Sequence, residues 1–189
     1  MDAQDLLRAP PELRTPRLLL RGPQPEFAPV LVESLNLAMP NLGFVAWGRS
    51  ERTAEWGEKF MAHDVQTVAQ GEYLVYYAFE ADNGAYVGRI DLHSWHFEAP
   101  RCEVGYVGDV RCSGRGLMRE AVLSCVGMAF GLGVARVQAL SESDNHRALH
   151  FAEQALGFTR EGVLRYFERD AHGKLGTQVM FAAYNPDAV

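Results

Sequence analysis

The sequence predicts an α/β (α+β) fold in which one mixed, seven-stranded sheet is flanked by helices. Its predicted elements follow in the order strand, two helices, three strands, helix, strand, helix and two strands. This order is typical of a mixed sheet covered by helices. No internal repeat and no linker-like stretch divides the 189 residues, so we expect a leader over residues 1–14 and a single domain over residues 15–189.

The first strand and the first two helices are predicted from short apolar patterns. Residues 17–22 read RLLLRG, a strand candidate, and residues 25–39 carry apolar side chains at helical spacing. Ser50 is a suitable N-cap for a second helix over residues 51–70, which Gly71 would end. Both helices would therefore precede the central strands.

The middle of the chain is predicted to form three strands and a helix. Residues 72–81 and 85–95 flank the turn Asp-Asn-Gly, which indicates a β-hairpin. Residues 101–109 are a further strand candidate, and the apolar stripe that begins at Leu117 has helical spacing. A glycine-containing turn thus separates a strand from a helix.

The last part of the chain is predicted to add a strand, a helix and a hairpin. Residues 135–140 are a buried strand candidate, and residues 144–157 begin with good helix caps and end at glycine. Residues 159–170 and 175–184 flank the turn AHGK as a terminal hairpin.

Composition and charge exclude several classes of protein. The chain has a formal net charge of −6 and a pI near 5.5, which argues against general nucleic-acid binding. Its three cysteines lack CxxC spacing, so neither a disulfide framework nor a zinc ribbon is expected. No secretory signal and no apolar run of about 18 residues is evident. We expect a cytoplasmic protein with no nucleic-acid partner, no membrane partner and no metal.

The turn between the predicted strand and helix has the composition of an anion site. It contains Arg111, Ser113, Gly114, Arg115 and Gly116. Glycines let several backbone N–H groups face one point, and the following helix adds unpaired N–H groups and a positive dipole end. Such a site suits a phosphate or diphosphate, to which the arginines would add charge-assisted bonds. The alternative is an ordinary loop in which the glycines serve only the backbone.

Two common phosphate motifs do not fit this turn. The P-loop requires a lysine and a serine or threonine after its second glycine, and neither is present. The dinucleotide-binding fingerprint requires three glycines in a first strand–helix unit, whereas this turn has two and lies past the middle of the chain.

The pattern Arg-x-x-Gly-x-Gly between a strand and a helix resembles the acetyl-CoA loop of the GNAT superfamily of N-acetyltransferases. The neighbouring segments resemble its RimJ/RimL-like branch. Seven segments occur in the order typical of that branch, from about Thr15 to Tyr184: TPRLLLR, GRIDL, EVGYV, GLMREAV, FGLGVARVQA, DNHRA and LGFTREGVLR.

This resemblance implies where acetyl-CoA, the expected cosubstrate, would bind. The sheet would be splayed like a V between its fourth and fifth strands, and the pantetheine arm would occupy the gap. Tyr106, Val107 and Gly108 would offer main-chain groups to the arm, as a sheet edge does to an added strand. One of their N–H groups would also polarise the thioester carbonyl. Asn145 would hold the arm, or would serve only as an N-cap.

The resemblance also implies a general base, because an amine must lose a proton before it can attack the thioester. Glu103 matches the acidic position on the fourth strand of the superfamily. The alternative is a solvated glutamate that pairs with Arg101. His93, which alternates with Asp91 on the preceding strand, is the second candidate.

The sequence departs from the family pattern where a general acid is expected. Ala152 occupies the usual position of a tyrosine that protonates the leaving thiolate, and Ala148 occupies that of a serine. The segment from Asn145 to Gly157 is also one residue longer than usual. Solvent, a histidine of this segment (His146 or His150) or a distant tyrosine remain open as the acid.

The acceptor site is expected between the segment NLGFVAWGR and the terminal hairpin. Phe44 and Trp47 from the former, and Tyr166 and Phe167 from the latter, would line it or belong to the core. We predict an N-acetyltransferase that moves acetyl directly to a primary amine, either a protein N-terminus or a small molecule. The alternative is a CoA-binding module without catalysis. Analogy with the family suggests a homodimer.

Overall fold

A single eight-stranded sheet forms the centre of the computed structural model, which describes residues 2–45, 48, 50–170 and 172–188. The strands are β1 (Glu12–Arg14), β2 (Leu18–Arg21), β3 (Leu74–Glu80), β4 (Tyr86–His96), β5 (Arg101–Gly108), β6 (Arg136–Glu142), β7 (Thr159–Leu164) and β8 (Gln178–Tyr184). Their spatial order is β1-β2-β3-β4-β5-β6-β8-β7. Each neighbouring pair is antiparallel except the parallel pair β5–β6.

The helices lie on both faces of this sheet. They are α1 (Ala3–Leu6), α2 (Ala28–Ala38), α3 (Ala54–Ala69), α4 (Leu117–Gly131) and α5 (His146–His150), with 3₁₀ turns at Pro25–Phe27, Met39–Asn41 and Val110–Cys112 and a π turn at Phe151–Ala155. Apolar side chains of α4 pack on one face of the sheet, and those of α2 and α3 pack on the other. We call these the α4 face and the α2–α3 face. Among the described residues, no helix combines the length and the apolar character that crossing a membrane requires.

The mixed sheet flanked by helices is confirmed, but the sheet has eight strands instead of the seven expected. The additional strand is β1, which pairs with β2 at the edge of the sheet, within the segment expected to be a surface leader. Leu6 is buried, and the Tyr76 hydroxyl donates a 2.6 Å hydrogen bond to the Pro10 carbonyl. A proline-containing segment is suited to an edge position because an edge strand leaves N–H groups unpaired.

The second predicted helix begins three residues later than expected, at the N-cap Thr53 instead of Ser50. The Thr53 hydroxyl accepts a hydrogen bond from the Trp56 amide at 3.2 Å. Asn36 explains the difference, because its side chain bonds both the N–H and the carbonyl of Arg52, at 2.7 and 3.0 Å. These two bonds hold residue 52 outside the helix.

The helix predicted over residues 144–157 consists of α5 followed by the π turn Phe151–Ala155. The Leu156 amide donates to the Phe151 carbonyl at 2.8 Å, which is a bond across five residues. A π turn holds one residue more than an α turn. It therefore accommodates the additional residue that the sequence carries between Asn145 and Gly157.

The terminal hairpin has shorter strands than its sequence predicts. β7 ends at Leu164 and β8 begins at Gln178, with an isolated bridge between Arg169 and Leu175 in the segment between them. Tyr166 has a φ of +56°, a left-handed conformation that interrupts an extended strand.

The two halves of the sheet separate along β5, as the V-shaped splay predicts. β5 and β6 pair only through Arg101–Arg136, Cys102–Val137 and Glu103–Gln138. Beyond Glu103, β6 continues to pair with β8, whereas residues 104–108 of β5 have no strand partner on that side. A gap with an unpaired main-chain edge therefore opens in the middle of the sheet.

Candidate active site

The glycine turn predicted to bind an anion follows directly after β5. Gly114 and Gly116 have φ values of +78° and +73°, a conformation that favours glycine. Gly116 is the N-cap of α4 and provides no side-chain hydrogen bond to the first helical amides. These amides and the positive end of the helix dipole face the turn, which is the arrangement that binds anions in proteins.

The two arginines of the turn are held by carboxylates of the protein. Arg111 donates from Nη2 to Asp109 at 2.7 Å and from Nη1 to Glu33 at 2.6 Å. Arg115 binds both carboxylate oxygens of Glu80, at 2.6 and 2.5 Å. Burial alone would raise the pKa of Asp109, but hydrogen bonds from Arg111 hold it below its usual value. In this structure both guanidinium groups therefore brace the turn.

Two arginines that the sequence analysis missed also contact the turn. Arg147 of α5 donates to the Ser113 hydroxyl at 2.8 Å, and Arg17 donates to the Arg115 carbonyl at 3.0 Å. Within the part of the chain that the structure describes, Arg147 forms no ion pair with a carboxylate. The sequence feature that could have indicated Arg147 is its position two residues after Asn145, in the segment DNHRA.

A notch formed by two glycines fixes the turn against the end of β5. Gly88 and Gly108 are partners across β4 and β5. A Cβ atom added to Gly108 would lie 2.7 Å from Cγ of Met118, and one added to Gly88 would lie 2.5 Å from its Sδ. Met118 belongs to the first turn of α4, so this contact sets the distance between the unpaired edge of β5 and the start of the helix.

A cavity of about 860 Å³ occupies the gap between β5 and β6. Its volume lies in the range of small-molecule and cofactor sites. It is lined by Leu31, Leu35, Phe44, Val45, Trp56, Phe60, Arg89, Asp91, His93, Ser94, Glu103, Val104, Gly105, Tyr106, Val107, Leu140, Ser141, Glu142, Asn145, Ala148, Phe167, Glu168 and Gln178. The cavity therefore joins the unpaired part of β5 to side chains from both faces of the sheet.

Glu103 lies at the vertex of the splay and contacts two polar groups. Its Oε2 accepts a 3.0 Å hydrogen bond from Gln138, its partner on β6. Its Oε1 lies 3.7 Å from Nε2 of His93, its partner on β4. The contacts of Glu103 thus involve these two residues and not Arg101, and the structure brings both candidate bases together.

His93 is held by a second carboxylate. Its Nδ1 lies 3.1 Å from Oδ2 of Asp91, and its ring stacks on Tyr73 with a centroid distance of 5.6 Å. Burial alone would lower the pKa of His93. The hydrogen bond and charge of Asp91, with the charge of Glu103, instead raise it above the ordinary 6.5.

Behind this pair lies a buried charge network that the sequence analysis missed. Asp64 of α3 accepts hydrogen bonds from Nε and Nη2 of Arg89 at 2.8 and 2.9 Å and from the Tyr77 hydroxyl at 2.7 Å. Arg89 also binds Asp91 through Nη1. Burial would raise the pKa of Asp91, but the charge of Arg89 and the contact with His93 lower it. Asp64 lies three residues after Met61 on the buried face of its helix, which was the signal in the sequence.

The remaining predicted residues divide between the cavity and other places. Asn145 lines the cavity, and its Oδ1 also accepts from the Ala148 amide at 3.2 Å, so it is an N-cap. Phe44 and Phe167 line the cavity, whereas Tyr166 is 74% exposed and does not. Trp47 lies outside the described residues. Within the described residues, no group of three or more His, Cys, Asp or Glu could hold a metal ion.

Comparison with known proteins identifies one family whose model matches most of this chain. The profile of the acetyltransferase (GNAT) domain matches residues 17–159. No curated protein matches the sequence closely enough to count as a relative. The microcin C7 self-immunity acetyltransferase MccE, solved with acetyl-CoA and AMP, is 18% identical with a TM-score of 0.81, covering 90% of this chain and 93% of its own.

Two further solved structures share the fold. RimL, the ribosomal L7/L12 α-N-protein acetyltransferase solved with coenzyme A, is 18% identical with a TM-score of 0.81, covering 96% of this chain and 99% of its own. The ribosomal-protein-S5-alanine acetyltransferase of Vibrio fischeri is 17% identical with a TM-score of 0.77, covering 94% of this chain and 98% of its own. On the family match and the shared fold, the chain belongs to the GNAT domain family and is an acetyltransferase.

Proposed function

We propose that the protein transfers the acetyl group of acetyl-CoA directly to a primary amine. One observation carries the proposal: the unpaired edge of β5 is followed, after the 3₁₀ turn Val110–Cys112, by the two glycines and a helix whose first amides lack a side-chain cap. An extended arm with amide groups and a diphosphate at one end matches these two features in the same order.

The cofactor would bind along this edge and turn. Main-chain groups of Tyr106, Val107 and Gly108 would pair with the pantetheine arm, and one N–H would polarise the thioester carbonyl. Amides over residues 113–117 would hold the diphosphate. The side chains of Arg111 and Arg115 would keep the turn in shape, because carboxylates already neutralise them.

Asn145 and Arg147 would hold the cofactor from the side of α5. The cap bond uses Oδ1 of Asn145 and leaves its amide nitrogen for the arm. Arg147 contacts Ser113 at the turn, and no described carboxylate neutralises its charge. It would therefore supply the positive charge that the loop arginines do not.

Glu103 would act as the general base, with His93 beside it. An ammonium group must lose a proton before attack, and a carboxylate on the cavity wall can accept it directly or through water. Asp91 contacts the His93 ring, and Arg89 in turn binds Asp91. The pair thus offers two protonation sites 3.7 Å apart at the vertex of the splay.

The acceptor would be an amine that approaches from the α2–α3 face. Among the described residues, four carboxylates line the cavity, those of Asp91, Glu103, Glu142 and Glu168. Arg89 balances the charge of Asp91, and the other three carboxylates favour a cation. A protein N-terminus and a small-molecule amine both meet this requirement. The structural similarity to RimL, a ribosomal-protein acetyltransferase, supports a protein N-terminus as the acceptor. The same similarity supports placing the chain in the RimJ/RimL-like branch.

The proposed location is the cytoplasm. Cys102, Cys112 and Cys125 are all buried and unpaired, and free thiols are typical of a reducing compartment. The burial of Cys112 also argues against a covalent acetyl-enzyme at the turn. Transfer would therefore be direct.

Calorimetry with CoA and acetyl-CoA, followed by release of free thiol in the presence of peptides and polyamines, tests the proposal. We expect binding of both cofactors and thiol release that depends on an amine. Binding without thiol release for any amine would instead support a CoA-binding module, which Ala148 and Ala152 favour.

Replacing the base gives a sharper test of the chemistry. We expect Glu103→Gln to lower kcat at neutral pH by about 100-fold, the usual contribution of a positioned base, with unchanged acetyl-CoA affinity. Glu98→Gln, at an exposed position between β4 and β5, is the matched control. Equal turnover in the two variants would remove Glu103 from the mechanism.

A further inference from the structure

The leaving thiolate of CoA needs a proton, and the helix positions expected to supply one hold Ala148 and Ala152. His146 and His150 are exposed and do not line the cavity. The inference that follows rests on the proposed function, and it concerns which side chain supplies this proton.

Tyr106 packs against the segment in which the family's acid is expected. It belongs to the part of β5 that has no partner on the β6 side, and it lines the cavity. Its ring contacts Phe151, the first residue of the π turn, at a centroid distance of 5.2 Å and an interplanar angle of 61°. Ala152 follows directly, so Tyr106 faces the segment from which a tyrosine side chain is absent.

The hydroxyl of Tyr106 is available. Other tyrosine hydroxyls of the sheet are engaged: that of Tyr76 donates to Pro10 and that of Tyr77 to Asp64. The Tyr106 hydroxyl donates to no residue that the structure describes, and it is not among the polar atoms enclosed without a partner, as the Tyr86 hydroxyl is. The hydroxyl is therefore not enclosed by protein, and Tyr106 lines the cavity. Burial of the ring raises the pKa of Tyr106 to about 12, so the group stays protonated at neutral pH.

Tyr106 and Glu103 lie on opposite faces of one strand. The Tyr106 ring packs with the core on the α4 face, whereas its neighbour Val107 packs on the α2–α3 face. The Asp91 carboxylate covers Gly105, because a Cβ atom there would lie 2.9 Å from Oδ2, and Glu103 shares the face of Gly105 by the alternation of a strand. A thioester beside this edge would have an acid on one face and a base on the other.

We propose that Tyr106 is the general acid that protonates the thiolate of CoA. Once Glu103 has passed the ammonium proton to solvent, the neutral amine nitrogen forms the C–N bond and gives up one further proton to Glu103. The C–S bond breaks with its electron pair on sulfur, and sulfur takes the hydroxyl proton of Tyr106. Water then relays a proton from Glu103 to the tyrosinate, so that the next turnover begins from the same state.

Tyr106→Phe tests this role, with Tyr184→Phe as the control because that hydroxyl donates to Glu161 and Tyr184 does not line the cavity. We expect Tyr106→Phe to lower kcat with acetyl-CoA by about 100-fold and to leave the acetyl-CoA Kd unchanged. Acetyl-seleno-CoA should restore the rate, since a selenolate leaves without protonation. Equal slowing with both donors, or no slowing, would overturn the proposal.

A second measurement needs no acceptor. The thiolate absorbance of bound CoA, followed against pH, reports the pKa of its thiol, which a hydrogen bond from Tyr106 to the thiolate would lower. We expect a lower thiol pKa in the wild type and in Tyr184→Phe than in Tyr106→Phe, even if no amine is acetylated. Equal thiol pKa values in the three proteins would reject Tyr106 as the acid and leave the proposed function standing. Absence of CoA binding would reject the proposed function as well.

Discussion

At the N-terminus of α3, the Thr53 hydroxyl accepts a hydrogen bond from the Trp56 amide, whereas Gly116 at the same position of α4 has no side chain to offer. α3 thus satisfies part of its own N-terminus, whereas the first amides of α4 have no side-chain cap. The first arrangement stabilises a helix in the folded protein. The second leaves partial positive charge exposed at the glycine turn.

The largest effect is expected where α4 is given a cap of its own. Gly116→Asp would place a carboxylate where the diphosphate should bind, and we expect it to weaken CoA binding by about 100-fold, or about 2.7 kcal/mol. Gly116→Asn is the matched variant, since both residues tolerate a positive φ. It should weaken binding by only about 10-fold, because it competes for the amides without charge.

Calorimetry at low salt measures both constants. Equal weakening by the two variants would show that negative charge at this position has no effect on the ligand. The N-termini of α3 and α4 would then differ in backbone shape and not in their effect on a charged ligand.

A smaller effect is expected at the cation beside the open helix end. Arg147→Gln should weaken CoA binding by about 10-fold, the usual value for one charge-assisted hydrogen bond, and should reduce the salt dependence of Kd. Arg160→Gln, on an exposed position of β7, is the control. An unchanged salt dependence in Arg147→Gln would mean that this guanidinium does not meet a phosphate.

The capped helix should respond in the opposite way. Thr53→Ala should lower the free energy of unfolding by about 1 kcal/mol and leave CoA affinity unchanged. Chemical denaturation and calorimetry on the same preparation separate the two effects. A change in affinity would show that α3 also shapes the cofactor site.

The smallest expected effect is a pH dependence of stability at His93. The partner of His93 is the Asp91 carboxylate, just as the cap of α3 is the Thr53 hydroxyl, so no ligand is needed in either place. The folded pKa of His93 lies above 6.5, so its pairing stabilises the fold fully below pH 6.5 and loses this effect as pH rises through the folded pKa. The stability difference between wild type and His93→Gln should therefore shrink as pH increases. Urea unfolding across this range checks it, with the exposed His63→Gln as control; a constant difference would contradict the assignment.

Local patterns predicted most of the fold, and the failures came from contacts between distant residues. Alternation and helical spacing predicted the strands and helices around the site. The additional residue between Asn145 and Gly157 was visible in the sequence, but the π turn that accommodates it was not predicted. The wrong N-cap of α3 resulted from the hydrogen bonds of Asn36 to Arg52, which no local pattern contains. The eighth strand, β1, has three residues, too few for a periodic signal.

The same distinction applies to the candidate site. Residue types located the glycine turn along the chain, and the resemblance to the GNAT superfamily indicated Glu103, with His93 as the second candidate. They did not reveal that Glu33 and Glu80 neutralise the loop arginines, nor that Asp64 holds Arg89. Those pairs join residues that are 78, 35 and 25 positions apart, so only the folded chain brings them together.

The parallel contact of three residue pairs between β5 and β6 has a consequence for how the protein responds to its cofactor. A pantetheine arm that pairs with residues 104–108 would act like an added strand and would connect the two halves of the sheet. Binding of the cofactor would then slow amide hydrogen exchange in the strands on both sides of the gap, including residues distant from the reacting atoms. Acetyl-CoA would be a part of the architecture as well as a reactant, and the melting temperature would report its concentration.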